Sequence, residues 1–295
     1  MTRSGFIALV GRPNVGKSTL ANAIVGSKVA IVSDKPQTTR RAIRGVANGL
    51  GWQLVMVDLP GVQRPRDTLT ERMQRRVERE LADADGCLMM VNAEQGIGPG
   101  DRFIAGLLAA AGASTPVVIA VNKVDRTDRG KTVQVLHEAA ELGVGDEIFP
   151  VSARTGNGLP LLVEHLVSLL PEGPLYFPIQ QRSDQSESVL LAELVREQVL
   201  ARTREEVPHA VEVEVESIEQ SNPDLIRLEA VVLVETESQK GILIGAGGSM
   251  IKSIGTAARR AIERELGGRV HLVLSVRVRR NWRADERLLD RLGIE

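Results

Sequence analysis

A glycine-rich segment near the N-terminus contains the residue types that phosphate binding requires. It reads GRPNVGKS, matches G-x-x-x-x-G-K-[ST], and lies between a predicted strand and a predicted helix. Glycines let backbone N–H groups face phosphates, and the helix N-terminus adds partial positive charge. Lys17 supplies a charge for the β- and γ-phosphates, and Ser18 supplies a hydroxyl ligand for Mg²⁺. The expected phosphate-binding residues are Gly11, Arg12, Pro13, Asn14, Val15, Gly16, Lys17, Ser18 and Thr19.

A second motif, N-K-x-D, indicates which base the site would bind. The carboxylate of Asp125 can accept hydrogen bonds from the ring N–H and the exocyclic amine of guanine, whereas adenine would leave it unpaired. The Lys123 stem can cover the base, and a backbone N–H after the last predicted strand can meet the guanine carbonyl. The expected base-site residues are Asn122, Lys123, Asp125, Ser152, Ala153 and Arg154.

A third motif, D-x-x-G, follows the third predicted strand and suits a metal ion and a γ-phosphate. Asp58 is placed to hold Mg²⁺ through water, and the backbone N–H of Gly61 can reach the γ-phosphate. In the polar loop 32–40, Thr39 is the preferred further Mg²⁺ ligand, with Thr38 as the alternative. The metal set is Ser18, Thr39 and Asp58; the D-x-x-G contacts are Asp58, Leu59, Pro60, Gly61 and Val62.

The elements that position these motifs alternate between short apolar runs and helical patterns. Strands are predicted at 6–10, 42–47, 53–58, 86–92, 116–122 and 147–151, and helices at 69–82, 101–111, 133–142 and 159–170. This alternation predicts an α/β domain with a mostly parallel sheet covered on both faces. Such sheets bind ligands beyond the carboxyl ends of their strands, where all three motifs fall.

A cluster of Pro and Gly at 171–174 interrupts this pattern and predicts a linker. We expect a nucleotide-binding domain at 1–170, a linker at 171–186 and a second domain at 187–295. In the second domain, helices are predicted at 188–204 and 249–266 and strands at 210–218, 226–235 and 270–278. A glycine-rich loop at 241–248 precedes the second of these helices. We expect the order α-β-β-α-α-β, in which one of the three helices has no assigned bounds, and this order predicts a small α+β domain.

The glycine-rich loop of the second domain resembles the nucleic-acid loop of a KH domain. It reads IGAGGSMIKSIG, and in KH domains a G-x-x-G turn between two helices clamps about four nucleotides of single-stranded nucleic acid. The helix and strand order matches a type II KH fold. The expected RNA contacts are Ile244, Gly245, Ala246, Gly247, Gly248, Lys252, Arg279 and Arg280.

The charge distribution supports an RNA-binding second domain, although the whole chain of 295 residues has a formal charge of −1. Residues 239–295 hold 12 Lys and Arg against 6 Asp and Glu, while residues 181–238 hold 5 against 14. The run 277–283 places Trp282 among arginines, either as a stacking residue or as a core residue. Aromatic residues make up only 2% of the chain, which argues against broad base stacking.

Four ordered motifs, GRPNVGKS, TTR, DLPG and NKVD, resemble those of a Ras-like GTPase domain. With KVAIVSDKPQTTR and the KH-like domain, the chain resembles the Era family of bacterial GTPases over essentially its whole length. The resemblance implies a Mg²⁺-dependent GTPase that converts GTP to GDP, binds the 3′ region of 16S ribosomal RNA and assists assembly of the 30S subunit. It implies a cytoplasmic location, with possible peripheral contact at the membrane, and a monomer without a predictable protein partner.

Hydrolysis is expected to proceed by in-line attack of water, with Lys17, Thr39, Gly61 and Asn14 as the candidate catalytic residues. Ras-type enzymes orient water with a Gln after D-x-x-G, but this chain has Val62 there and Gln63 one position later. In related GTPases an Asn at the position of Asn14 binds K⁺, so the resemblance implies potassium stimulation of slow turnover.

The chain departs from the family pattern at Leu59, where the family usually has Thr, and at Gln63, where it usually has His. It also has Gln185 where an Arg often follows Asp184. Two other functions remain open from the residues: an RNA-binding scaffold with a structural nucleotide, and a membrane-associated cell-cycle GTPase. The lone cysteine, Cys87, is expected in the core and cannot form an internal disulfide.

Overall fold

The computed structural model describes residues 2–35, 37–62, 65–110, 115–145, 147–222 and 225–294. Gln63 and the last residue of the helix predicted at 101–111 lie outside these ranges. The chain divides into two compact units. The first comprises residues 1–30, 36–66 and 70–184, and the second comprises 31–35, 67–69 and 185–295.

The first unit contains a six-stranded sheet with the strand order β2-β3-β1-β4-β5-β6. Its strands are β1 (Arg3–Gly11), β2 (Ile43–Gly49), β3 (Trp52–Asp58), β4 (Gly86–Asn92), β5 (Val117–Asn122) and β6 (Glu147–Pro150). Neighbouring strands are parallel except for β2, which pairs antiparallel with β3. The prediction of an α/β domain with a mostly parallel sheet is confirmed.

Helices cover both faces of this sheet, which explains the nearly continuous apolar runs in its strands. They are α1 (Lys17–Val25), α2 (Thr68–Asp83), α3 (Pro99–Ala110), α4 (Arg129–Ala140) and α5 (Leu159–Leu169). Alternate residues of β1 face opposite sides: Ile7 and Leu9 pack with α1 and α5, whereas Ala8 and Val10 pack with α3 and α4. Cys87 lies in the second of these clusters, and burial raises the pKa of its thiol to about 12.

The parallel strands bring the sequence motifs to one edge of the sheet. β1 ends at Gly11, β3 at Asp58 and β5 at Asn122, so the loops that follow all leave from the same side. The loop before β2 reaches this edge too, because Ile43 pairs with Asp58 in the antiparallel register. The topology therefore determines which distant motifs meet.

Part of the predicted linker is hydrogen-bonded to the first sheet. The carboxamide of Gln53 in β3 is fully buried, and its Oε1 accepts from two backbone N–H groups of the segment at 2.9 Å each. Its Nε2 donates to Phe177 O at 2.9 Å. Farther along, Ser183 forms an antiparallel bridge with Gly45 of β2. The segment after α5 is thus fixed to the first unit by long-range contacts.

The second unit contains a three-stranded sheet, β7-β8-β9, with β8 antiparallel to β7 and parallel to β9. Its elements are α6 (Glu187–Arg202), α7 (Val207–Ala210), β7 (Glu212–Asn222), β8 (Leu225–Val234), α8 (Glu237–Ile244), α9 (Ser249–Leu266), β9 (Arg269–Val278) and α10 (Glu286–Arg291). The predicted α-β-β-α-α-β order is confirmed, with the short α7 and α10 added. Among the described residues, no helix has the length and apolarity that crossing a membrane requires.

The glycine-rich loop is shorter than the prediction of 241–248. Residues 241–244 belong to α8, whose start is fixed by a capping box between Thr236 and Gln239. The prediction overlooked this signal because Gly241 and Gly245 favoured a continuous loop. The predicted strand at 210–218 also begins later, at Glu212, because residues 207–210 form α7.

Helices α6 and α9 pack on one face of the second sheet and form its main apolar core. Val232 and Val234 of β8 belong to that core, so the buried Val231 and Leu233 face the other side. Arg291 of α10 pairs with Glu214 of β7 at 2.7 Å, which places the C-terminal segment over this second face. The sheet is therefore covered on both sides at its centre.

A buried ion triad accounts for part of the acidic surplus in residues 181–238. Arg196 is fully buried, its Nη2 lies 2.6 Å from Glu193 Oε2, and its Nε lies 3.8 Å from Glu212 Oε1. Burial desolvates Arg196 and lowers its pKa, but the carboxylates together outweigh this effect and raise the pKa above its ordinary value. Removing one member would leave a buried charge without its counterion, so the triad constrains how α6 meets β7.

Trp282 is a core residue, and a stacking role for its ring is excluded by its complete burial. Its Nε1 donates to Ala210 O at 2.8 Å. We expect Trp282→Ala to destabilise the protein by about 3–5 kcal/mol, because it removes a large buried side chain. Trp282→Phe should cost less, since the ring remains and mainly the hydrogen bond to Ala210 is lost. Urea unfolding followed by circular dichroism measures both; a loss below about 1 kcal/mol for the Ala variant would contradict this packing role.

Candidate functional site

The phosphate-binding segment follows β1 directly and ends where α1 begins. Asn14 and Gly16 have positive φ angles of 65° and 106°, so the backbone turns sharply before the helix. The Lys17 ammonium is buried and donates to Gly11 O and Arg12 O at 3.0 and 3.2 Å. Burial lowers the pKa of Lys17 to about 8. The loop thus holds a desolvated ammonium group that an anionic ligand would stabilise.

The three expected metal ligands lie together at the same edge of the sheet. Ser18 Oγ donates to Asp58 Oδ2 at 2.6 Å, and Thr39 Oγ1 lies 3.3 Å from the same oxygen. Asp58 is fully buried, and burial raises the pKa of its carboxyl. Its Oδ1 has no hydrogen-bond partner within the described part of the chain. A buried carboxylate oxygen left unpaired beside two hydroxyls fits a hard divalent cation.

The Arg12 guanidinium binds the loop after β4 and the start of α3. Its Nε lies 2.9 Å from Asp101 Oδ1, and its Nη2 donates to Gly96 O at 3.2 Å. Asp101 is buried and also accepts from Gly98 N at 2.8 Å. Sequence reasoning missed Asp101, because an acidic residue in the first turn of a helix ordinarily indicates only a favourable helix start. The pair fixes the phosphate loop to the start of α3.

Asn122, at the end of β5, braces the loops on either side of it. Its Nδ2 donates to Val15 O at 2.8 Å, and its Oδ1 accepts from Ala153 N at 2.9 Å. Lys123 has a φ of 68°, and its ammonium donates to Asn14 O at 2.7 Å. These contacts join the phosphate loop to the two loops expected to bind the base.

The Asp125 carboxylate accepts from side chains of the loop after β6. Ser152 Oγ donates to Oδ1 at 2.6 Å, and Arg154 Nε donates to Oδ2 at 3.0 Å. Arg154 Nη2 donates to the same Oδ2. The Ser152 hydrogen bond, and then Arg154, lower the pKa of Asp125, so the carboxylate remains ionised at neutral pH. The motif predicted that these loops meet, but not that Arg154 pairs with Asp125.

The D-x-x-G segment passes close to the phosphate loop. A Cβ added to Gly61 would lie 3.0 Å from Pro13 Cγ, so the approach leaves little room for a side chain. Val62 is buried and apolar, which excludes it from orienting a water molecule. Gln63, the other residue considered for that role, lies outside the described residues.

The G-x-x-G segment joins α8 to α9 through three glycines with positive φ. Gly245, Gly247 and Gly248 have φ angles of 71°, 58° and 78°. A Cβ on Gly245 would come within 2.8 Å of Met250 Cβ, so this position has no space for a side chain. Within the described residues α9 has no side-chain N-cap, and Lys252 in its first turn is exposed. The segment presents backbone N–H groups and positive charge on an open surface.

The basic run at 277–283 is largely ion-paired. Arg277 lies 3.0 Å from Glu216, Arg279 lies 2.8 Å from Asp285, and Arg283 lies 3.1 Å from Glu235. Arg280 is exposed, as are Arg277 and Arg279. Of the two arginines expected to contact RNA, Arg279 therefore already holds a carboxylate.

Two family models match the chain. One, described as "50S ribosome-binding GTPase", matches residues 6–123, and the other, described as "KH domain", matches residues 206–283. Curated relatives named GTPase Era, from Mycobacterium bovis and Mycobacterium tuberculosis, are 46% identical over 98% of this chain and 98% of each relative. GTPase Era from Mycolicibacterium paratuberculosis is 44% identical over 99% of this chain and 98% of the relative.

Solved structures of Era match the entire architecture. A point variant of Aquifex aeolicus Era bound to GDP and AlF4⁻ is 35% identical, with a TM-score of 0.94 over 99% of each chain. Era in complex with MgGDPNP and nucleotides 1506–1542 of 16S ribosomal RNA has the same identity and TM-score, over 100% of this chain and 99% of that one. The sequence identity and the shared order of both domains show that the chain belongs to the Era family of GTPases.

Proposed function

We propose that the edge of the first sheet binds GTP and Mg²⁺. Backbone N–H groups of residues 11–19 and the Lys17 ammonium hold the phosphates, and Ser18, Thr39 and Asp58 hold the metal ion. The buried, unpaired Oδ1 of Asp58 carries this proposal, because a divalent cation satisfies an oxygen that nothing else pairs with in the described chain. When bound, Mg²⁺ neutralises charge that develops on the β- and γ-phosphates.

The base is held by the loops after β5 and β6. Asp125 accepts from the ring N–H and exocyclic amine of guanine, and the Lys123 stem covers the ring. Ala153 N and its neighbours offer backbone donors to the guanine carbonyl. Asn122 keeps both loops in register with the phosphate loop through its bonds at 2.8 and 2.9 Å.

In hydrolysis, the residues of this chain chiefly position the phosphates and stabilise the negative charge that develops on them. Lys17 supplies positive charge to the β- and γ-phosphates, while the backbone N–H groups of Thr39 and Gly61 donate to the γ-phosphate. Val62, the residue directly after D-x-x-G, cannot orient water because it is buried and apolar. We therefore expect slow turnover, with Asn14 as the residue that would hold K⁺, which would supply additional positive charge.

The second unit binds single-stranded RNA at the G-x-x-G segment. The nearby Ile244, Ala246 and Lys252 side chains are exposed beside glycines that allow the sugar–phosphate backbone to approach. The solved Era complex with nucleotides 1506–1542 of 16S ribosomal RNA supports the same target for this chain. We therefore infer a cytoplasmic GTP-dependent switch that binds the 3′ region of 16S ribosomal RNA during assembly of the 30S subunit.

Replacing Asp125 with Asn is expected to weaken GTP binding by about 100-fold or more, since two charge-assisted hydrogen bonds to guanine are lost. The same variant should gain affinity for XTP, whose C2 carbonyl accepts from the new amide. Asp128→Asn is the matched control, because it removes the same charge from an exposed helix cap that Asn also supports. Equilibrium titration measures both variants; unchanged GTP preference in Asp125→Asn would refute the base assignment.

GTP hydrolysis is expected to be at least about ten-fold faster in KCl than in NaCl of equal ionic strength. The reason is that a positioned cation stabilises the negative charge that develops in the transition state. Asn14→Gly should abolish the difference, because glycine keeps the positive φ while removing the amide. Phosphate release at saturating GTP provides the measurement. Equal rates in both salts for the unmodified protein would rule out the potassium site.

Gly248→Asp is expected to abolish recovery of 16S 3′-end RNA in cellular crosslinking, because a carboxylate repels the phosphates that approach the loop. Nothing lies within 4 Å of its Cβ position, so there is space for the side chain, although the φ of 78° strains any residue other than glycine. Gly267→Asp is the matched control, with a similar φ of 68° at the opposite end of α9. Undiminished recovery from Gly248→Asp, or equal loss from both variants, would contradict the assignment.

A further inference from the structure

The Asp125 carboxylate has both of its oxygens engaged by the chain itself. Ser152 Oγ donates to Oδ1 at 2.6 Å, while Arg154 donates to Oδ2 through Nε at 3.0 Å and also through Nη2. The Asp125 side chain is only 13% exposed as a result, whereas that of Arg154 is 66% exposed. The pair is therefore an ion pair with a shielded acceptor and a solvated donor.

A guanidinium and a guanine base present the same chemistry to a carboxylate. Each offers two adjacent N–H donors in one plane, and a carboxylate provides about four lone-pair positions in total. Ser152 and Arg154 together occupy three of these positions. Two hydrogen bonds from guanine therefore require Arg154 to release at least one of its own.

We propose that Arg154 is an internal competitor of guanine: it pairs with the carboxylate that binds the base and lowers both the affinity and the association rate of guanine nucleotides. This rests on the role of Asp125 proposed above. Ser152 is not a competitor in the same sense, because its single bond to Oδ1 leaves room on that oxygen for a second donor.

The competition is weak enough to adjust binding without preventing it. Exposed ion pairs contribute little, since water and salt screen them and the long side chain gains freedom when released. Arg154 is two-thirds exposed, so the ion pair opens easily. We expect its removal to raise GDP affinity by about two- to five-fold, mainly through faster association.

The test measures association and dissociation of a fluorescent ribose-labelled GDP by stopped flow in the full chain. Arg154→Ala should bind about two- to five-fold more tightly. Arg126→Ala is the matched control, because it removes one positive charge near Asp125 from an arginine that pairs with Glu94 at 3.5 Å. Unchanged or weaker binding by Arg154→Ala, or an equal gain from Arg126→Ala, would overturn the proposal.

A second arm separates competition from a direct contact between Arg154 and the base. In an Asp125→Asn background, which removes the ion pair, Arg154→Ala should leave affinity for labelled XDP unchanged. An effect of Arg154→Ala on XDP binding in that background would show action through another contact and would overturn the proposal. If Asp125→Asn does not change the nucleotide preference from GDP to XDP, the assignment of Asp125 to the base fails. That result differs from both outcomes that would overturn the competition by Arg154.

Discussion

Asp58 and Lys17 are both withdrawn from water at the edge where strands β1 and β3 end. Burial raises the pKa of the first and lowers that of the second, so each disfavours its own charged form. Their mutual attraction and the Ser18 hydroxyl offset only part of this cost. The proposed phosphates and Mg²⁺ would supply the missing charges, which explains why a site so costly in isolation suits a nucleotide.

The remaining architecture of the first unit keeps these two groups in place. Parallel pairing aligns the strand ends, the Arg12–Asp101 pair fixes the phosphate loop to α3, and Asn122 joins that loop to the base loops. The charges of the second unit are arranged differently. Several of its arginines, including Arg277, Arg279 and Arg283, are paired with carboxylates, so part of its basic charge is already neutralised. The RNA site proposed at the G-x-x-G segment would therefore depend strongly on its glycine backbone.

The sequence predicted those features that depend on residues close together in the chain, namely turns, strands and helices. The GRPNVGKS motif predicts its own turn. The alternation of apolar runs with helical patterns predicts the parallel sheet that places Asp58 and Asn122 at the same edge. The Gln53 contacts with Phe177, the Arg12–Asp101 pair and the Arg154–Asp125 pair join residues 124, 89 and 29 positions apart. Such pairings depend on how loops finally pack, and no periodicity encodes them. The role of Trp282 was likewise undecided until its burial was known.

The inferred GTP-dependent switch requires that the state of the bound guanine nucleotide changes the affinity of the chain for RNA. The most direct measurement compares its affinity for an oligonucleotide of the 16S 3′ region in the presence of Mg²⁺ with GDPNP and with GDP. We expect binding to be at least about five-fold tighter with GDPNP than with GDP, which is the lower range of typical coupling between two sites. Equal affinities in the two nucleotide states, with both nucleotides fully bound, would contradict it.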